Sequence, residues 1–121
     1  MAPLIILKND EPFAAVSSSG GRKIVDANLN ICLNLINYRM GMQQAVSAPR
    51  FDASGSSVVI DDRFPEEVLA ALRRRGHKVA PVTESFRPRI FASPTCLRID
   101  PVSGLLTSGT DPFHPAVALG I

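Results

Sequence analysis

The sequence predicts an α+β fold in which an antiparallel sheet packs against helices. Three observations lead there. Short apolar runs rich in β-branched residues are separated by turn residues, two stretches carry apolar residues at helical spacing, and hairpin signals alternate with the helices along the chain. The 121 residues are 45% hydrophobic and 20% charged, which is the composition of one globular domain spanning residues 1–121.

The first strand is expected over residues 3–8 (PLIILK) and the second over residues 13–17, with Asn9-Asp10-Glu11-Pro12 turning between them. Their apolar content predicts burial on both faces, as inside a layered fold. Ser17-Ser18-Ser19-Gly20-Gly21 follows, and then a helix over about residues 22–40. Serine and glycine at this point suit an N-cap, where side-chain oxygens meet free backbone amides. Ile24, Ala27, Ile31, Leu35 and Tyr38 give the helix one apolar stripe, while Asn30, Asn34 and Asn37 share another face. Asparagine is a mediocre helix former, so tertiary packing must hold this helix.

Gly41 ends it, and residues 42–46 make a short helical turn before Ala48-Pro49. A strand is expected over residues 58–61. Pro65 then opens a helix with Glu66 and Glu67 in its first turn, Arg73, Arg74 and Arg75 in its last, and Gly76 just beyond. That charge order complements the helix dipole at both ends. Val68, Leu69 and Leu72 are its expected buried stripe. Residues 78–82 form a strand, residues 85–94 a loop, and residues 95–99 and 105–108 a hairpin around Asp100-Pro101-Val102-Ser103-Gly104. The Pro-punctuated tail after Asp111 is expected to be irregular. A strand opening at residue 3 leads us to expect a segment before it.

Charge and composition remove several function classes. The net charge is +2 with dispersed signs, there is no Trp and one Tyr, and the one basic run is Arg73-Arg74-Arg75, so no nucleic-acid partner is expected. No apolar run approaches the ~20 residues of a membrane-spanning helix, and no membrane partner is expected. The apolar start has neither a basic lead nor a cleavage site, so no secretory signal is read, and the compartment stays unknown. Cys32 and Cys96 fall in apolar patterns and are read as buried thiols. His77 and His114 are the two histidines, with no ligand spacing around them, so neither a metal site nor a cofactor is expected. Arg73 to Arg75, His77 and the Arg87-Pro88-Arg89 loop are read as solvated surface. So are the acidic pairs Asp61-Asp62 and Glu66-Glu67.

Ser-Ser-Ser-Gly-Gly is the segment that can carry chemistry. Adjacent glycines where a strand meets a helix leave backbone N–H groups uncovered, with the positive end of the helix dipole behind them. Such amides can meet a developing oxyanion or a phosphate, although a flexible turn with a serine cap has the same residues. A phosphate-binding loop of the Gly-Lys-Ser/Thr kind is excluded, because Arg22-Lys23 follows. A serine nucleophile at Ser17, Ser18 or Ser19 would need His77 or His114 as its base.

Taken in order, these residues resemble the γ-glutamyltranspeptidase family, in the C-terminal part of its small subunit. Gly20-Gly21 before a long helix resembles the family's Gly-Ser-Pro-Gly-Gly segment. Gln44-Ala45-Val46-Ser47-Ala48-Pro49-Arg50-Phe51 resembles its Glu-Ala-Val-x-Ala-Pro-Arg-Phe segment. Gly76-His77-Lys78-Val79, Gly109-Thr110-Asp111-Pro112 and the opening Met1-Ala2-Pro3 resemble further motifs, so the likeness runs nearly end to end. It implies part of the N-terminal-nucleophile hydrolase fold, an α-β-β-α sandwich. It also implies a threonine nucleophile whose own α-amine is the base, and transfer of a γ-glutamyl group to water or an amine. Gly20 and Gly21 inherit the oxyanion hole from the resemblance.

The departures also count. The threonine, the groups that grip the glutamate and the family's Ser-Ser pair would precede Met1. Ser17 and Ser19 replace a glycine and a proline of the glycine motif, and Phe64 replaces a small residue before Pro65. The expectation is therefore a C-terminal piece of a γ-glutamyltransferase or glutathione hydrolase, inactive alone. Its expected partners are the rest of the transpeptidase, or a second copy of itself, and γ-glutamyl compounds such as glutathione once completed. The alternative is a stand-alone, non-catalytic binding or regulatory module derived from that fold.

Overall fold

The structure is a computed structural model that describes residues 2–118. Strand β1 (Leu4–Lys8) turns at Asn9-Asp10 into β2 (Glu11–Ser19), and both turn residues take positive φ, 54° and 64°. Asparagine and aspartate tolerate that region, which a two-residue hairpin with matching twist requires. A 3-10 turn at Gly21–Lys23 leads into helix α1 (Ile24–Ile36), followed by α2 (Met42–Ser47). Next come β3 (Phe51–Asp52), β4 (Val58–Asp61), α3 (Glu66–Arg74) and β5 (Val79–Val82). Strands β6 (Ser93–Ile99) and β7 (Leu106–Thr110) complete the chain.

The expected antiparallel sheet is present, in the order β1-β2-β6-β7, with α1 and α2 packed against one face. Its core is Ala14 and Val16 of β2, Cys96 of β6, Ile31 and Leu35 of α1, and Met42, Ala45 and Val46 of α2. Alternation along β2 dictates this arrangement: Ala14, Val16 and Ser18 point to the helices and are buried, while Ala15, Ser17 and Ser19 point away. The register slips between Ile6 and Leu7, leaving Phe13 opposite no β1 residue. Its ring then packs against the helix-side core. At β7, the Gln43 side chain acts as a short length of strand: its Nε2 donates to Thr110 O (2.9 Å) and its Oε1 accepts from Thr110 N (3.0 Å).

Several expectations are corrected. A second sheet, β3-β4-β5, pairs β4 with β5 in parallel across α3, where the sequence reading provides antiparallel hairpins and no β3. Strand β1 is an edge strand and largely exposed, with Ile5 at 70% and Leu7 at 58%, so its apolar run is not buried on both faces. Helix α1 stops at Ile36, short of residue 40. Asn34 Nδ2 donates to Ala45 O (3.0 Å) and Met40 N to Asn34 O (2.9 Å), which turns the chain so that Met42 enters the core. Tyr38 falls beyond that end and is 69% exposed, outside the stripe assigned to it. In α3, Leu69 is buried as expected, whereas Val68 is exposed and Leu72 half-buried. Cys96 is buried; Cys32 is half-buried.

Candidate functional site

The glycine pair sits where β2 gives way to the turn before α1. Gly20 has φ 149° and Gly21 φ 65°, both in territory that suits glycine. A Cβ on Gly20 would lie 2.7 Å from both Cα and Cβ of Ala92, so the backbones approach as closely as they can. A Cβ on Gly21 would meet nothing within 4 Å. Both glycines are exposed, and among the described residues neither N–H donates a backbone hydrogen bond outside the helices and strand ladders.

No serine side chain caps the turn or the helix, contrary to the N-cap expectation. Ser17, Ser18 and Ser19 are strand residues pairing with Thr95, Pro94 and Ser93. The buried Ser18 hydroxyl donates to Asn28 Oδ1 of α1 (2.6 Å), and Asn28 Nδ2 donates to Ala2 O (2.8 Å). This relay fixes the end of β2 to the helix and to Ala2, two residues before β1; Met1 of the opening motif lies outside the described residues. The Lys23 ammonium donates to Ile90 O, and Ile24 and Ala27 pack on Ala92, so both sides of the turn are held.

Behind Ala92 lies a buried charge cluster that the sequence reading did not identify as a site. Arg50 is 3% exposed. Its Nη1 donates to Ala92 O (3.1 Å), and its Nη2 meets Asp111 Oδ1 and Glu84 Oε1, each at 3.1 Å. Arg63 links Glu84 (3.4 Å) to Asp61, donating from Nε to both Asp61 carboxylate oxygens at 3.0 and 3.1 Å. Asp61 is 0% exposed, so its reading as a solvated charge is corrected. Burial alone raises the Asp61 carboxyl, but its hydrogen bonds from Arg63 outweigh burial and hold it below the ordinary carboxylate value. Glu84 goes the other way. Burial is the largest influence, reinforced by Asp111 and Asp61 against the pull of Arg50 and Arg63, and it pushes the carboxyl up to about 7. Two guanidiniums facing three carboxylates leave one negative charge in excess when all are ionised, and a proton on Glu84 removes it. The signal for Arg50 was its place between Pro49 and Phe51 in an otherwise apolar stretch; for Asp61 it was the end of the apolar strand β4.

A pocket of about 200 Å³ adjoins the turn, bordered by Ser17, Ser18, Ser19, Ser93, Asp111 and His114. The Ser93 hydroxyl is buried there without a hydrogen-bond partner. His114 thus shares a pocket with the three serines, but no hydrogen bond joins it to any of them among the described residues. His77 is far from them in the fold, lining an apolar pocket with Leu72 and Phe64. Among the described residues, no three or more His, Cys, Asp and Glu side chains are grouped to hold a metal ion.

A family model described as Gamma-glutamyltranspeptidase matches residues 1–120. The chain is 35% identical over 107 residues to the Acylase ACY 1 proenzyme of Pseudomonas sp. (strain SE83), covering 88% of this chain and 18% of that protein. It is 32% identical over 122 residues to the Glutathione hydrolase proenzyme of Bacillus subtilis (strain 168), covering 100% of this chain and 20% of that protein. A solved structure of a Helicobacter pylori gamma-glutamyltranspeptidase mutant matches with a TM-score of 0.79 and 29% identity, covering 94% of this chain and 61% of that one. The chain therefore spans about a fifth of the length of these two curated relatives.

Proposed function

Since this chain belongs to the gamma-glutamyltranspeptidase family, we propose that it is the C-terminal part of a γ-glutamyltransferase or glutathione hydrolase. In that part it supplies scaffold and an oxyanion hole to a reaction whose nucleophile comes from elsewhere. The observation that carries this reading is the glycine turn. Gly20 and Gly21 are neighbouring exposed residues, and Gly20 is wedged against Ala92, whose carbonyl the buried Arg50 holds. Donors fixed before the reaction spend no reorganisation energy when charge develops, which is what an oxyanion hole requires.

In the proposed reaction, a threonine hydroxyl from the completing part attacks the carbonyl carbon of the γ-glutamyl amide, and its proton passes to a base. The carbonyl oxygen takes the negative charge and accepts hydrogen bonds from the Gly20 and Gly21 amides. Collapse expels the protonated amine and leaves an acyl-enzyme, which water or a second amine then cleaves. Thr83, Thr95, Thr107 and Thr110, the four threonines of the chain, all follow the glycine pair. None is in place to serve as an N-terminal nucleophile. One relative is named an acylase and another a glutathione hydrolase, which supports a role common to different acyl groups, with acyl specificity set by the completing part.

The test is co-expression with a Bacillus subtilis glutathione hydrolase from which the matching fifth has been removed, assayed on a γ-glutamyl anilide. The expected result is no turnover by the pure chain, turnover by the complemented pair, and a loss of at least about 100-fold in kcat for Gly21→Pro, which removes one donor and, because proline cannot take φ 65°, also re-aims the turn that carries both amides. Turnover by the pure chain, abolished by Gly20 or Gly21 substitution, overturns the proposed inactivity. Undiminished turnover by the complemented Gly21→Pro variant overturns the oxyanion role.

A further inference from the structure

Far from the glycine turn, the opposite end of β2 carries a second concentration of unusual features. A groove of about 610 Å³ lies between the start of β2, the end of β6 and the link from α1 to α2. Its floor is apolar, with Leu35, Met40 and Met42 among its residues, and three cations line it: Lys8, Arg39 and Arg98. No carboxylate lines it. Among the described residues, none of the three cations forms an ion pair or a side-chain hydrogen bond. The nearby acids are otherwise placed. Asp100, two residues beyond Arg98, accepts from Val102 N (3.0 Å), Ser103 N (2.8 Å) and Ser103 Oγ (2.9 Å) in the β6–β7 turn. Glu11 faces Lys8 across the hairpin without reaching ion-pair distance, and Asp10 is in the turn itself.

Three backbone and side-chain features converge on this groove. The β2 bulge re-aims Phe13, and its ring is approached by Arg98 at 4.8 Å and Lys8 at 6.0 Å. Arg39 takes φ 53°, a left-handed position where glycine is the unstrained choice. The Arg98 Nε is buried with no partner, which is costly for a charged group unless something supplies an acceptor. We propose that this groove binds a small dianion with an apolar body, its charge shared by Lys8, Arg39 and Arg98 and its body lying on the Met40–Met42 floor. Phosphate and paired carboxylates both meet that description.

The site is independent of the proposed amide chemistry. Phe13 lies six residues before the end of β2 at Ser19, about 20 Å at ordinary strand rise, and Gly20 follows beyond that end. Arg39→Gly is an informative variant because glycine relieves the left-handed strain while removing one cation.

The test is isothermal titration of the full 121-residue chain at low salt with 1-naphthyl phosphate, with phthalate as the dicarboxylate probe and inorganic phosphate as the probe without a body. The expected result is a Kd at or below about 1 mM for at least one aromatic dianion, weaker for inorganic phosphate, and raised about tenfold in Arg39→Gly and again in Arg98→Gln. Thermal melting of Arg39→Gly should match or exceed the parent, which separates lost binding from lost folding. Failure of the parent to bind either aromatic dianion below about 10 mM overturns the proposal. So does equal affinity in the parent and the folded Arg39→Gly/Arg98→Gln double variant. The ratio between the two aromatic probes tells phosphate from carboxylate as the preferred source of charge.

Discussion

Replacing Glu84 by glutamine should flatten the pH dependence of this protein's stability on the neutral side. Glu84 ionises at about 7 in the folded chain against an ordinary 4.5, with burial as the main cause. A carboxyl raised on folding binds its proton more tightly in the native state. Its stabilising contribution is full below about 4.5 and is lost as pH rises through 7. The whole shift corresponds to roughly 3 kcal/mol, and the part lost between about pH 5.5 and 8 to about 2 kcal/mol. For a chain of this size that is on the order of 8 °C in Tm.

Asp61 and Asp52 have lowered values and therefore act with the opposite sign. For Asp52, burial pushes upward, but hydrogen bonds from Ser54 and the charge of Lys23 outweigh it. Their contributions are present above the ordinary carboxylate range and are lost as pH falls below it. Stability should therefore peak between about pH 4.5 and 7. Circular-dichroism melts from about pH 4 to 8.5, on the parent and Glu84→Gln, read this directly. The parent should lose Tm above about pH 6, and the variant should keep its acid-side loss but not the neutral-side one. A variant that keeps the neutral-side decline, or a parent whose Tm is flat there, refutes the assignment of that proton to Glu84.

The other predictions concern the same framework. Gly20→Ala should destabilise by about 2 to 3 kcal/mol through overlap with Ala92, and Gly21→Ala by about 1 kcal/mol through its φ alone, measured by urea unfolding. Asn28→Ala leaves the Ser18 hydroxyl buried without an acceptor and frees Ala2, so about 1 to 3 kcal/mol should be lost and amide exchange along β1 should quicken. Arg50→Met strands Asp111 and releases the Ala92 carbonyl, an expected loss of about 3 to 5 kcal/mol, whereas Asp111→Asn should cost less because Glu84 still faces the guanidinium. Equal effects of the last two would show that Arg50 does not hold the cluster together.

Local chemistry was legible in the sequence at several places where one short segment decided the outcome, the serine cap before α1 being the exception. Asn9-Asp10 announced the first hairpin, and Pro65 with the ordered charges announced α3. The glycine pair announced the turn between β2 and α1. Contacts between distant segments were not legible. Arg50, Asp61, Glu84 and Asp111 come from four places in the chain, and nothing in the neighbourhood of any one states that the others will meet it. The parallel pairing of β4 with β5 is hidden for the same reason: α3 intervenes, and a parallel pair has no turn of its own. The apolar run of β1 misled because edge position, which decides how much of a strand is covered, has no marker in composition.

Gln43 gives the four-stranded sheet a direction. Its amide occupies the backbone of Thr110, so an approaching chain meets a side chain already seated on the β7 margin. On the far margin, Leu4–Lys8 presents main-chain donors and acceptors that no strand among the described residues has taken. Growth by an added strand is thus directed to the β1 margin, whether the newcomer comes from the same protein or from a neighbouring molecule. A charged residue placed at Ile5 or Leu7 would be the means of discouraging unwanted guests there.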